Sequence, residues 1–236
     1  MKLLHTILLL AALAAALPLA AQTRQRYEIN VGEFTSLKVV DGLNVDHKVS
    51  ADSAGKVVFS APRSMASAII VSNKNGNLKL EIATEAVGTV NLPLITVYSS
   101  NLASVENSGD STVRVLSVIE GPKFGAKVVG NGHLSVRDLR VTDARGTVQM
   151  GKGRLMLRGA CSYLHLKMLG TGTIEADELS ATQVSVSVNG TGAVGVWPGE
   201  TLTVSGTGST TIYYKGNPEI KKKMLLGPKL SPLPDK

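Results

Sequence analysis

Cysteine is almost missing from this chain. Cys161 is the single thiol among 236 residues, which excludes an intramolecular disulfide framework and leaves the fold to be held by its core. The lone thiol is expected to act as a small buried apolar group. Aromatic residues make up 4%, with one Trp, three Phe and five Tyr. That scarcity excludes the interleaved basic and aromatic pattern of a nucleic-acid surface, so no nucleic-acid partner is expected. No long stretch of helical periodicity follows the first 21 residues, which excludes ordinary βαβ crossovers.

Motifs that would carry chemistry are equally sparse. His47, His133 and His165 are scattered without a short His pair, so no metal site is expected and each is given a polar surface or corner role. The Gly-x-Gly turns do not open helices, as a dinucleotide fingerprint would require. A calcium-binding β-helix repeat needs an Asp at a fixed place in every turn, and only Asp110 occupies the nearest equivalent. Asn189-Gly190-Thr191 fits a glycosylation sequon but reads as a turn. No cofactor is expected.

The first segment, "MKLLHTILLLAALAAALPLAA", has a basic start at Lys2, an apolar run, Pro18 and small residues ending at Ala21. This is the pattern of a secretory signal peptide, residues 1–21, leaving a mature chain 22–236 with no membrane-spanning segment. No cysteine follows the apolar run, so a lipid anchor is not expected. Losing Lys2 takes the formal charge from +7 to +6. Part of that excess sits in a Pro-containing tail with Lys221, Lys222, Lys223, Lys229 and Lys236, a solvated basic end.

Val, Leu, Ile and Thr recur in short alternating runs, an all-β pattern, and 24 glycines punctuate them. Glycine opens a turn at Gly109, Gly130, Gly151, Gly170, Gly190 and Gly206, at intervals of 21, 21, 19, 20 and 16 residues. A period near 20 is the mark of a stacked solenoid. Four residues after these glycines stand Val113, Leu134, Leu155, Ile174, Val194 and Thr210, and six after them Val115, Val136, Leu157, Ala176, Val196 and Ile212. All but Thr210 are apolar, and polar or small residues mostly separate them, so each phrase reads as a turn and then a strand with one buried face. A glycine costs about 0.5 to 1 kcal/mol against alanine in regular structure. Its recurrence implies corners where the next coil passes too close for a side chain.

The polar residues after each glycine, Asp110, Asn131, Lys152, Thr171, Thr191 and Thr207, are expected to form an outer ladder. Residues 27–105 have less regular turns, with a hairpin signal at Asn75-Gly76, so the first coils are expected to be distorted or partly antiparallel. No linker demands a division, so residues 22–236 are taken as one elongated domain.

The stretches "GEFTSLKVVDGLNVDHKVS", "SNLASVENSGDSTVRV", "VNGTGAVGVWPG" and "VSGTGSTTIYYKGNPEIKKK" resemble the bacterial GIN-domain family, described as auto-transporter adhesin head domains. The resemblance spans about residues 33–230. Its most specific part is the ending, a Gly-x-Gly turn followed by Tyr214, Gly216 and Pro218. It implies a right-handed parallel β-helix-like solenoid and export from a bacterium, to the periplasm, cell surface or exterior. It carries over no catalytic residue.

Seven residues after each glycine, from the second turn on, stand Arg137, Arg158, Asp177, Trp197 and Tyr213, an expected outward column. The first expectation for its aromatic rings is an end cap that closes the open end of the helix and buries them; as a ligand-binding face, the column suits extracellular glycan or an envelope protein, with the rings as stacking platforms. Asp177 is expected to pair with Arg158 across coils. Many β-helices are polysaccharide lyases or hydrolases, but that chemistry needs two acids, or an acid and a base, and this column offers one carboxylate. A non-enzymatic exported structural or adhesin-like protein is the first expectation, and a carbohydrate-active enzyme the alternative.

Overall fold

The computed structural model describes residues 24–86, 91–223 and 227–233. The expected signal peptide, residues 1–21, lies outside them. Strand pairs with strand along the whole described chain, in a β-solenoid of about six turns.

The regular part is built from β9 (Thr112–Val129), β10 (His133–Gln149) and the long β11 (Arg154–Tyr214), all stacked in parallel. Leu134 lies over Val113 and under Leu155, and Val148 lies over Val128 and under Met168, so one coil takes 20 or 21 residues. The register slips by one between Val136 and Asp138, at the corner between two rows of strands. Val136, Leu157, Ala176 and Val196 are all buried, as the alternation predicts.

The first coil is separated from its neighbour by a long excursion. β2 (Ser36–Val40) and β3 (Val45–Val49) lie directly beside β8 (Ser104–Ser108) and the start of β9, with Ser36 facing Ser104 and Val45 facing Val113. The residues between them run out through β4 (Lys56–Ala61), a one-turn helix α1 (Arg63–Ala66), β5 (Ile69–Lys74), β6 (Asn77–Ile82) and β7 (Ile95–Ser99). Here antiparallel pairs appear: β4 with β7, β4 with β1 (Gln25–Asn30), and β5 with β6. Tyr27 stacks on Phe59 across β1 and β4, their ring centroids 5.3 Å apart. The hairpin turn is Asn75-Gly76, both at positive φ (53° and 76°), as a two-residue hairpin with the strands' own twist requires.

Corners stack as tightly as the glycine pattern implies. At Gly208, φ is +106° and a Cβ would run into the Gly190 carbonyl oxygen. That contact also corrects the last repeat. Gly208, not Gly206, sits over Gly190, and Gly206 sits over Val188, so the final coil is two residues out of the spacing read from the sequence. The outer ladder holds where Asn131 bonds Asp110 and accepts from the Lys152 N–H. In the last coil Thr207 instead donates to Asn189.

One histidine departs from expectation. His47 is wholly buried rather than on a surface or corner. Its Nε2 lies 2.8 Å from Ser99 Oγ, whose hydroxyl donates to the Asn101 carbonyl, so Nε2 carries the proton and donates. Nδ1 has no partner, and burial pushes the imidazole down to about 4. The core therefore holds it neutral. Cys161 is half-buried, and burial, helped by Asp143, pushes its thiol up to about 12, leaving it unreactive.

Candidate functional site

Each coil presents a row of strands after the glycine corner and another before it. The row after the corner carries the expected column. Alternation puts Val194 and Val196 in the core and turns Trp197 outward past the end of the buried pair, and the same logic turns Tyr213 outward beside Ile212. Trp197 is 44% exposed and Tyr213 37%, so neither ring is buried.

Their arrangement differs from a single column. The Lys215 N–H bonds the Val196 carbonyl, which makes Lys215, not Tyr213, the residue stacked on Trp197. The Lys215 ammonium lies 5.6 Å from the indole centroid and 3.5 Å from an Asp177 carboxylate oxygen, and donates to the Asp177 carbonyl at 2.5 Å. Lys215 thus joins Asp177 and Trp197 into one cluster, with cation–π and ionic contacts from one side chain. Sequence reasoning missed this lysine because it aligned the last phrase on Gly206; aligning on Gly208 would have placed it.

Arg158 is not the partner of Asp177. Its guanidinium meets Glu178, Nε to Oε2 3.1 Å. Arg137 is exposed in the same row, with no ion-pair partner among the described residues. The other carboxylates of this row are also tied to cations: Arg154 with Glu175, and Arg114 with Asp46 through two bonds of 2.6 and 2.8 Å. Arg114 is held more firmly protonated by its bond to Asp46. These pairs span neighbouring coils and neutralise charge between them. Beside Trp197, Ser180, Thr182 and Glu200 line a shallow hollow of about 440 Å³ that also reaches Cys161.

His133 and His165 are exposed, and His165 Nε2 lies 3.8 Å from Asp143. Among the described residues no group of three or more His, Cys, Asp or Glu side chains could hold a metal ion. Among them, too, no helix is long and apolar enough to cross a membrane.

The family described as "Putative auto-transporter adhesin, head GIN domain" matches residues 33–218. The chain belongs to this GIN-domain family. Its fold recurs in solved structures. An adhesin-named protein of Bacteroides fragilis superposes with a TM-score of 0.79 at 23% identity, covering 89% of this chain and 95% of that one. Another adhesin-named protein, from Parabacteroides distasonis, gives 0.73 at 17%, covering 89% and 97%. A protein of the same organism titled "Putative lipid binding protein" gives 0.73 at 14%, covering 90% and 97%. No curated protein matches the chain. At these identities the likeness establishes the GIN-domain solenoid and no ligand.

Proposed function

We propose that this GIN-domain protein is an exported, non-catalytic adhesin-like scaffold, released from its signal peptide after residue 21, whose mature chain 22–236 forms one elongated domain. It binds an extracellular glycan or envelope component through the face that carries Trp197 and Tyr213. One observation carries this reading: two of the few aromatic rings in the chain are exposed on one row of strands, although a capping role would bury them. Lys215 holds the Trp197 face from one side and Asp177 supplies an acceptor beside it. Arg137 and Arg158 border the same face, and an apolar platform with a few fixed polar groups is what orients a sugar ring.

The alternative, a carbohydrate-active enzyme, has less support because Glu175, Glu178 and Asp177 are each engaged by a cation, which leaves Glu200 beside Trp197 without a second free acid to pair with. A glycan-array screen with the mature chain tests the proposal. Retention that is lost in Trp197→Ala and Tyr213→Ala, with unfolding temperatures unchanged, is the expected result. Lost stability without any ligand to lose would make the rings structural.

A further inference from the structure

The row of strands before the glycine corner has a different chemistry. Its outward positions run in register across the solenoid: Lys79 beside Lys38, Lys38 beside Glu106, Glu106 beside Lys127, Lys127 beside Thr147, and Thr147 beside Lys167. A second line beside it runs Ser36, Ser104, Gly125, Arg145 and His165. Cations and hydroxyls, with Glu106 among them, therefore share the outward positions of six adjoining strands, with rungs about 4.8 Å apart.

The row is also hollowed. A groove of about 560 Å³ lies between it and the β5–β6 hairpin, and a second of about 410 Å³ continues toward Lys167, Ser185 and Ser187. Arg145 and Thr147 line both, so the two adjoin as an open channel along the row.

Two of its cations, Lys38 and Lys127, are fixed in place rather than free to fold away. Glu106, mostly covered by its neighbours, takes Lys38 Nζ at 2.9 Å on one carboxylate oxygen and Lys127 Nζ at 3.1 Å on the other. Burial alone would raise this carboxyl, but bonds from Ser108, Lys38 and Lys127 outweigh it and hold the group at about 2. One carboxylate thus positions two ammonium groups and neutralises only one of them. Arg145 pairs with Asp143 at 3.2 Å, whereas Lys167 has no carboxylate partner among the described residues; the lining sets Lys38, Lys74, Lys79, Lys127, Arg145 and Lys167 against Glu81 and Glu106, which leaves the channel net positive.

We propose that this channel binds an extended acidic polysaccharide, with Lys38, Lys127, Arg145 and Lys167 meeting its anionic groups and the interleaved serine and threonine hydroxyls meeting its hydroxyls. The spacing of the rungs is on the scale of one sugar ring, so a linear chain can lie along the row. Two other polyanions fit less well. The channel lining holds no Trp, Tyr or Phe ring, and the single imidazole of His165 offers no run of platforms on which successive unstacked bases could rest. Nor does it include any of the exposed large apolar side chains that would insert into a lipid surface. The proposal concerns a different row of strands from the Trp197 face and does not depend on it.

Affinity electrophoresis of the mature chain through gels containing polygalacturonate, with uncharged dextran as the comparison, tests it. Retardation by polygalacturonate alone is expected, weakening as salt rises. The double variant Lys127→Glu/Arg145→Glu should weaken it by at least about tenfold, since it turns two attractions into repulsions. Arg26→Glu/Arg63→Glu makes the same change in net charge on exposed residues outside the channel and should retain most of the binding; a far-UV circular dichroism melt of each variant confirms folding. No retardation, equal retardation in dextran, or equal loss in both double variants would overturn the proposal. So would binding to phosphatidylglycerol vesicles in place of polygalacturonate. Because array retention is read through Trp197→Ala and Tyr213→Ala and retardation by polygalacturonate through Lys127→Glu/Arg145→Glu, failure of either proposal is visible without the other.

Discussion

Replacing Gly192 with alanine asks whether coil stacking, rather than local flexibility, demands the glycines. Gly192 has φ +148°, and a Cβ there would enter the Gly172 carbonyl, closer to its oxygen than any real contact and 3.1 Å from its carbon. The clash is with backbone of the coil below, which cannot rotate away as a side chain could. Relief means opening the ladder locally, at a cost of about 1 kcal/mol for each of two hydrogen bonds, with about 1 to 3 kcal/mol of backbone strain besides. Together these give about 3 to 5 kcal/mol. For a chain of this size that corresponds to a fall in Tm on the order of 10 °C, read by far-UV circular dichroism on the mature chain. Thr191→Val, one residue away on the exposed ladder, should stay within about 0.5 kcal/mol. Equal falls in the two variants would refute the stacking argument.

Leu157→Asp should destabilise by several kcal/mol, because it buries an unpaired carboxylate at a position only 1% exposed; a urea titration that left the midpoint unchanged would place this side chain outside the core. His47 predicts a pH effect. Its folded-state value is depressed to about 4 by burial, so below the unfolded value of about 6.5 the unfolded chain binds the extra proton and stability falls as pH drops toward 4. That gap corresponds to about 3 kcal/mol. Glu106 contributes only lower down, its share being lost as pH falls from about 4.5 toward 2. Urea midpoints between pH 7 and 5 should therefore decline in the native protein and stay nearly flat in His47→Gln; matching slopes would contradict a neutral buried imidazole.

The repeating half of the fold was legible because a corner closed to side chains leaves glycine as a periodic mark and a one-sided strand leaves alternation. Both are local signals. The excursion between β3 and β8 was not legible, since the pairing of Ser36 with Ser104 depends on which edge the chain returns to. The Asn75-Gly76 hairpin within it was readable, because its turn chemistry is complete in two residues. At the candidate site, alternation turned Trp197 and Tyr213 outward in the sequence but did not decide between exposed rings and a buried end cap, because a covering tail is a tertiary feature. Their relative position was not legible either, because the last coil has a different length and one misplaced glycine moves every later residue by two. Lys215 was lost for that reason, and with it the cation that engages Asp177, while Arg158 meets Glu178. His47 gave no signal at all: a histidine within alternating residues carries nothing in the sequence to say that its ring meets Ser99 inside the core. The channel before the glycine corner was also hidden, since Lys38, Glu106 and Lys127 become neighbours only when distant strands stack.

The central claim, that this GIN-domain solenoid binds glycan without transforming it, is tested most directly by incubating the mature chain with the glycans it retains and measuring both retention and glycan length. The account predicts saturable retention, reduced in Trp197→Ala for neutral glycan, with every chain recovered at its starting length. Shortened or unsaturated products would contradict it in favour of an enzyme, and no retention of any glycan would contradict it outright.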